Sequence, residues 1–336
     1  MKAVVIERPN EIALREVDAP AVGPEDVLIR SRAAGVCRTD LEVLRGELDR
    51  RWVRYPCIPG HEWSGEVVAT GERANGVAVG DRVVSEGIIP CGHCRRCLVG
   101  DTNLCENYDQ LGFTRGGGYG EFVVCPARIV HRLPDHVSFE TGVLVEPGSV
   151  VLRALERGRL GAGESLGVIG IGTLGSLAVS LARLFSPREI VSYGIRREEL
   201  EFARRLGVDG TVNVAEQRPD EGRHDLVLET AGAVVAVELA TRLVREGGRV
   251  ALLGIAGEGK VLELPSDRIA LRDLELIGSV AYTSAVWKRM VELLSEGRVD
   301  LDPIVTHRFP IADFERAFGL MERREGTVVK IVLEHA

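Results

Sequence analysis

The sequence predicts an α/β protein in two parts, a β-rich barrel and a parallel sheet with crossover helices. Three observations carry this. Between about residues 160 and 280, apolar strand-like runs alternate with helical patterns, and such alternation implies parallel pairing through right-handed crossovers. Up to about residue 147 the apolar runs are short, and glycine and proline interrupt them repeatedly, as in a compact barrel. The stretch "VIGIGTLGS" passes from an apolar run into a glycine-rich turn.

The elements follow in order. "AVVIE", "DVLIRSRA", "GEVVATG" and "DRVVS" read as the barrel strands. "SLGVIG", "EIVSY", "TVNV", "DLVLET", "RVALLG" and "LELIGS" read as the parallel strands, with helices starting near Thr173, Glu198, Val234 and Ser266. In the first helix Leu174, Leu177, Ala178, Leu181 and Phe185 keep helical spacing. The tail holds one amphipathic helix, "AVWKRMVELLSEG", and the strand "TVVKIVLE", too little for a core of its own. It is expected to pack on the barrel. The domains are therefore expected at 1–147 with 281–336, and at 148–280.

A length of 336 residues suits two domains, and 45% hydrophobic residues supply material for two cores. A net charge of -8 argues against nucleic-acid or anionic-membrane partners. The N-terminus is charged too early for a signal peptide, and the longest uncharged run, Leu166 to Ala182, is interrupted by four glycines. A cytoplasmic chain with reduced cysteines is expected, so clustered cysteines suggest metal.

"CGHCRRCLVGDTNLC" sets Cys91, Cys94, Cys97 and Cys105 at C-x2-C-x2-C-x7-C. Tight turns aim such thiolates at one point, and four thiolates close a structural zinc site. An iron–sulfur cluster is the rival, but the ferredoxin pattern has a shorter last gap followed by proline. His93 reads as a solvated loop residue. Cys57 and Cys125 read as packing residues.

"GVCRTD" and "PGHEWSG" add Cys37, His61 and Glu62, each weak alone. Together with "VGDRVV", "VEP", "GIGTLG" and "ETAG", in this order over nearly the whole chain, they resemble the zinc-containing alcohol and polyol dehydrogenases of the medium-chain dehydrogenase/reductase superfamily. The resemblance implies a GroES-like barrel domain and a Rossmann doubly wound coenzyme domain. It makes Cys37 and His61 ligands of a catalytic zinc, with Glu62 beside or on the metal. Glu146 matches the position where polyol and sugar dehydrogenases carry Glu; a surface carboxylate before a proline turn is the plain alternative. Asp40 matches the acid that orients the ligating histidine. Thr39 is placed to carry the substrate's hydroxyl proton outward. The family usually has a histidine three residues further on, where this chain has Glu42, either an acceptor in the relay, a substrate contact, or a surface residue.

Two zinc ions per chain and a nicotinamide cofactor follow from the resemblance, with cofactor contacts at Arg38, Gly170, Gly172, Thr173, Leu174, Gly175, Gly194, Arg196, Arg197 and Thr230. An acidic residue usually stands about 20 residues after the glycine turn to hold the ribose 2′-hydroxyl. This chain offers "YGIRR" there. Gly194 removes that charge, and Arg196 and Arg197 suit a 2′-phosphate, so NADP(H) is expected over NAD(H). The alternative is that both arginines are solvated or pair with nearby glutamates.

The substrate is expected to be a small secondary alcohol or its ketone, of polyol, sugar or cyclitol type; Glu86 and Gly87 hint at a polar pocket. Alternatives are an amino alcohol such as threonine, a zinc-free quinone or enone reductase of the same superfamily, or a non-catalytic nucleotide sensor. A homodimer or homotetramer is expected.

Overall fold

The computed structural model describes all residues, 1–336. It divides into two units, Met1–Glu146 with Tyr282–Arg298 and Val305–Ala336, and Pro147–Ala281 with Val299–Ile304. The sequence-based boundaries differ by one residue at each junction. They also placed Val299–Ile304 with the barrel, whereas this short segment packs with the second unit. No helix is long and apolar enough to cross a membrane.

The first unit is built on a seven-stranded sheet. Its order is Val305–Pro310, Lys330–Glu334, Asp26–Val36, Trp63–Thr70, Arg82–Ser85 and Val130–Arg132, with Phe122–Pro126 also paired to Asp26–Val36. A separate pair joins Lys2–Arg8 to Glu11–Glu16. Strand Asp26–Val36 alternates buried and open residues before its apolar end, Ala33 to Val36, is wholly buried. The "TVVKIVLE" segment does return to this unit: Lys330–Glu334 pairs antiparallel with Asp26–Val36, Ile331 opposite Val36. The core gathers Val4, Val27, Ile29, Val36, Trp63, Val67, Phe314 and Phe318. Each large apolar side chain so buried contributes about 1.5–3 kcal/mol.

The second unit is a six-stranded parallel sheet in the order Gly210–Asn213, Glu189–Gly194, Ser165–Ile169, His224–Glu229, Val244–Leu252 and Glu275–Gly278. Numbered along the chain this is 3-2-1-4-5-6, the doubly wound order whose reversal point lies beside the first strand. Strand Ser165–Ile169 is buried at every residue, as a central parallel strand must be. All six strands expected from sequence are present, and helices begin at Thr173, Arg197, Val234 and Ser266.

Candidate active site and metal centres

The cysteine loop folds its four thiols together. The Cys91, Cys94, Cys97 and Cys105 sulfurs lie within 4.8 Å of one another, and Cys91 and Cys97 are 4.0 Å apart. Backbone N–H groups point at the sulfurs: Cys94 donates to Cys91 at 3.3 Å, Cys97 to Cys94 at 3.5 Å and Cys91 to Cys105 at 3.3 Å. The Asn107 amide donates to Cys91 at 3.3 Å. That bond, with help from backbone, brings the Cys91 thiol down to about 5. Four converging sulfurs, with donors stabilising the thiolate form of Cys91 and Cys94, fit a closed zinc site. His93 is exposed, its Nδ1 2.9 Å from the Cys91 carbonyl, and takes no part. Cys57 and Cys125 are buried, and burial pushes both thiols up to about 12, so they are inert packing groups.

A second cluster joins Cys37, His61 and Glu62, whose ligand atoms also lie within 4.8 Å of one another. Cys37 caps the helix Arg38–Arg45. Its N–H donates to Asp40 Oδ2 at 2.8 Å, so one short turn fixes both the thiol and the acid behind it. Asp40 is fully buried. Its Oδ1 lies 3.5 Å from His61 Nδ1, and a ligand nitrogen of the same imidazole lies within 4.8 Å of the Cys37 and Glu62 ligand atoms. Burial disfavours a charged His61, yet Asp40 and Cys37 outweigh it and hold the imidazole well above its usual range. Glu146 opens the helix Val145–Arg157. Burial, reinforced by the charges of Glu62 and Asp40 and opposed by His61 and Lys330, pushes its carboxyl up to about 7. It therefore shares the site's electrostatic field without being one of the three close donors. One cysteine sulfur, one imidazole and one carboxylate converging within 4.8 Å form a donor set that fits zinc.

Two participants escaped the sequence reading. Tyr119, fully buried, donates to Asp40 Oδ2 at 3.0 Å. Lys330, also fully buried, forms an ion pair with Glu62 Oε2. The signal for the second was present: a lone lysine in the apolar "TVVKIVLE".

Thr39 Oγ1 lies 3.6 Å from Cys37 Sγ, where the proton relay would begin. Glu42 pairs with Arg38 at 3.4 Å. Glu86, suggested as a pocket residue, is buried. Its two carboxylate oxygens meet His131 Nε2 at 3.0 Å and the Ser284 hydroxyl at 2.6 Å. Both oxygens thus meet the protein's own groups, which anchor Glu86 in place.

In the second unit the glycine turn has the form a dinucleotide needs. Gly170 has φ +88, and a Cβ there would meet Ala231 at 2.8 Å; a Cβ on Gly175 would overlap the Gly170 carbonyl. Thr230 pins the turn by donating to the Ile169 and Gly170 carbonyls at 2.9 and 2.8 Å. Gly172 caps the helix Thr173–Ala182, with Thr173 and Leu174 in its first turn, so the positive end of the helix dipole lies at the glycine turn, where a phosphate is favoured. Gly194 ends the strand Glu189–Gly194, and Arg196 caps the helix Arg197–Arg205. The arginines do have glutamate partners: Arg196 reaches Glu199 at 3.5 Å, and the more exposed Arg197 reaches Glu216 at 2.8 Å.

The comparisons with known proteins agree with this architecture. The family model "Alcohol dehydrogenase GroES-like domain" matches residues 23–135, and "Zinc-binding dehydrogenase" matches residues 173–296. The L-threonine 3-dehydrogenase of Vibrio parahaemolyticus is 34% identical over a 347-residue alignment spanning 99% of each chain. A zinc-binding dehydrogenase of Sinorhizobium meliloti solved with NADP bound superimposes with a TM-score of 0.92 at 29% identity, over 99% of this chain and 98% of that one. Galactitol-1-phosphate dehydrogenase of Escherichia coli superimposes with a TM-score of 0.89 at 28% identity, over 99% of this chain and 100% of that one. The chain belongs to the zinc-type medium-chain dehydrogenase superfamily, with its GroES-like and Rossmann-type domains, and is an oxidoreductase.

Proposed function

We propose that this oxidoreductase uses NADP(H) and a catalytic zinc, beside a structural one, to interconvert a secondary alcohol and its ketone. Substrates of polyol, sugar or cyclitol type, with a hydroxyl next to the reacting carbon, are the first choice. The observation that carries this is the cluster of Cys37, His61 and Glu62 with Glu146 in its field. When bound, zinc supplies the Lewis acidity that lowers a hydroxyl pKa, and the nicotinamide supplies the hydride acceptor. Cys37 and His61, with a carboxylate, hold the metal; Asp40 fixes the His61 ring. Thr39 Oγ1 takes the substrate's proton and passes it outward. With Glu62 paired to Lys330, Glu146 is the carboxylate that completes the metal's protein ligands.

A second reading, an amino alcohol such as threonine, is favoured by the name of the 34% identical relative. A panel of polyols, sugars, cyclitols and L-threonine, each with NADP and NAD and read by absorbance of the reduced cofactor, separates the two. Highest kcat/KM on a polyhydroxylated substrate supports the first; highest on L-threonine replaces it with the second.

For assembly we propose a homo-oligomer of cytoplasmic location. The end strand Glu275–Gly278 has no partner on its outer edge, and Leu271, Leu276 and Val280 are exposed on and around it, which suits pairing with a second copy. Sedimentation of the wild type and of Leu276→Lys tests it; a monomeric wild type refutes it.

A further inference from the structure

Lys330 lies in the central sheet of the first unit with 1% of its surface exposed. Its ammonium pairs with Glu62 Oε2 and reaches the Val36 carbonyl at 3.3 Å. The Glu62 carboxylate is equally hidden, its side chain 3% exposed. It also lies within 4.8 Å of the ligand atoms of Cys37 and His61. One carboxylate therefore stands between two positions for positive charge, the metal's and the ammonium's. Gly35 makes the room: a Cβ there would overlap Glu62 Oε2 and come within 2.7 Å of Lys330 Cε and Val143 Cγ1. Sheet pairing fixes the lysine's place, since Ile331, the next residue, stands opposite Val36.

A buried ammonium and carboxylate are each tolerated only when paired. If the ammonium is removed, the strongest remaining partner for Glu62 is the metal. We propose that Lys330 is a positioning residue that withholds Glu62 from the catalytic zinc, so that a coordination position stays open to substrate. The inference rests on reading Cys37 and His61 as zinc ligands. Zinc analysis of the wild type checks that reading separately, because fewer than two zinc ions per chain would undo it before Lys330 is considered.

The test uses the full-length enzyme with cobalt(II) in the catalytic site, together with the rate at which zinc leaves that site to a chelator. Lys330→Met should change the cobalt absorption spectrum and make it insensitive to added imidazole. It should also slow zinc release at least threefold, whereas loss of a purely structural lysine would speed release. Adding Glu62→Gln to Lys330→Met should restore the wild-type spectrum and imidazole response, and Lys330→Arg should keep both. A wild-type spectrum in Lys330→Met, faster zinc release, or a changed spectrum that persists in the double variant would overturn the proposal. If Lys330→Met does not fold, Glu62→Gln alone decides. Its resting cobalt spectrum should match the wild type, and a different one would mean that Glu62 already sits on the metal.

Discussion

Tyr119 donates its hydroxyl to Asp40 at 3.0 Å, and the same Asp40 oxygen accepts the Cys37 N–H at 2.8 Å. The acid behind His61 is thus held from two sides inside the core. Hydrogen bonds to a charged group contribute about 1.5–3 kcal/mol, and loss of an outer partner of a metal ligand commonly costs about 10- to 100-fold in metal affinity. Tyr119→Phe keeps the ring packing and removes only the donor. It should weaken zinc at the catalytic site about tenfold and leave the four-cysteine site unchanged. Competition with a chelator, followed site by site, checks this; equal zinc retention would place Tyr119 outside the support of His61.

Arg196 and Arg197 should differ in weight. The Arg196 side chain is 26% exposed and held by Glu199, whereas that of Arg197 is 77% exposed and turned to Glu216. Arg196 is therefore the better-positioned partner for a 2′-phosphate. Arg196→Ala should lower kcat/KM with NADP about 10- to 150-fold, from about 1.5–3 kcal/mol for one charged hydrogen bond, and leave NAD nearly unchanged. Arg197→Ala should do much less. Gly194→Asp should move preference toward NAD, at some stability cost because its Cβ would lie 3.3 Å from Leu200 Cδ2. A wild type that prefers NAD contradicts the assignment.

His224 makes the second unit sensitive to acid. It is fully buried, with Nε2 2.6 Å from the Tyr193 hydroxyl. Burial, then the charge of Arg223, brings its imidazole down to about 4. The unfolded chain takes up this proton near pH 6.5, so the contribution is complete above that pH and lost as pH falls toward 4. At about 1.4 kcal/mol per pH unit, the loss reaches about 3 kcal/mol. Between pH 6.5 and 4.5 the wild-type Tm should fall several degrees more than that of His224→Gln. Parallel slopes would refute the assignment.

What could be read in the sequence was what depends on local pattern. The six parallel strands are short apolar runs between glycine turns, and Gly170 and Gly175 are needed where backbone meets backbone. The two-residue gaps of Cys91, Cys94 and Cys97 bring sulfurs together whatever surrounds them. The unread part depends on contacts distant in the chain. Lys330 reaches Glu62 across paired strands, and Tyr119 reaches Asp40 from a glycine-rich loop. Glu86 looked available because its partners His131 and Ser284 lie 45 and 198 residues away. For Arg196 and Arg197 the sequence leaves pairing with nearby glutamates open, and the structure supplies the particular partners, Glu199 and Glu216.

The central claim is that Cys37 and His61 form a catalytic zinc site distinct from the four-cysteine site. Zinc content per folded chain, measured for the wild type and for Cys37→Ser, tests it most directly. The account predicts about two zinc ions in the wild type, and in Cys37→Ser about one, with the fold retained and turnover abolished. A Cys37→Ser enzyme that keeps both ions and wild-type turnover would contradict it.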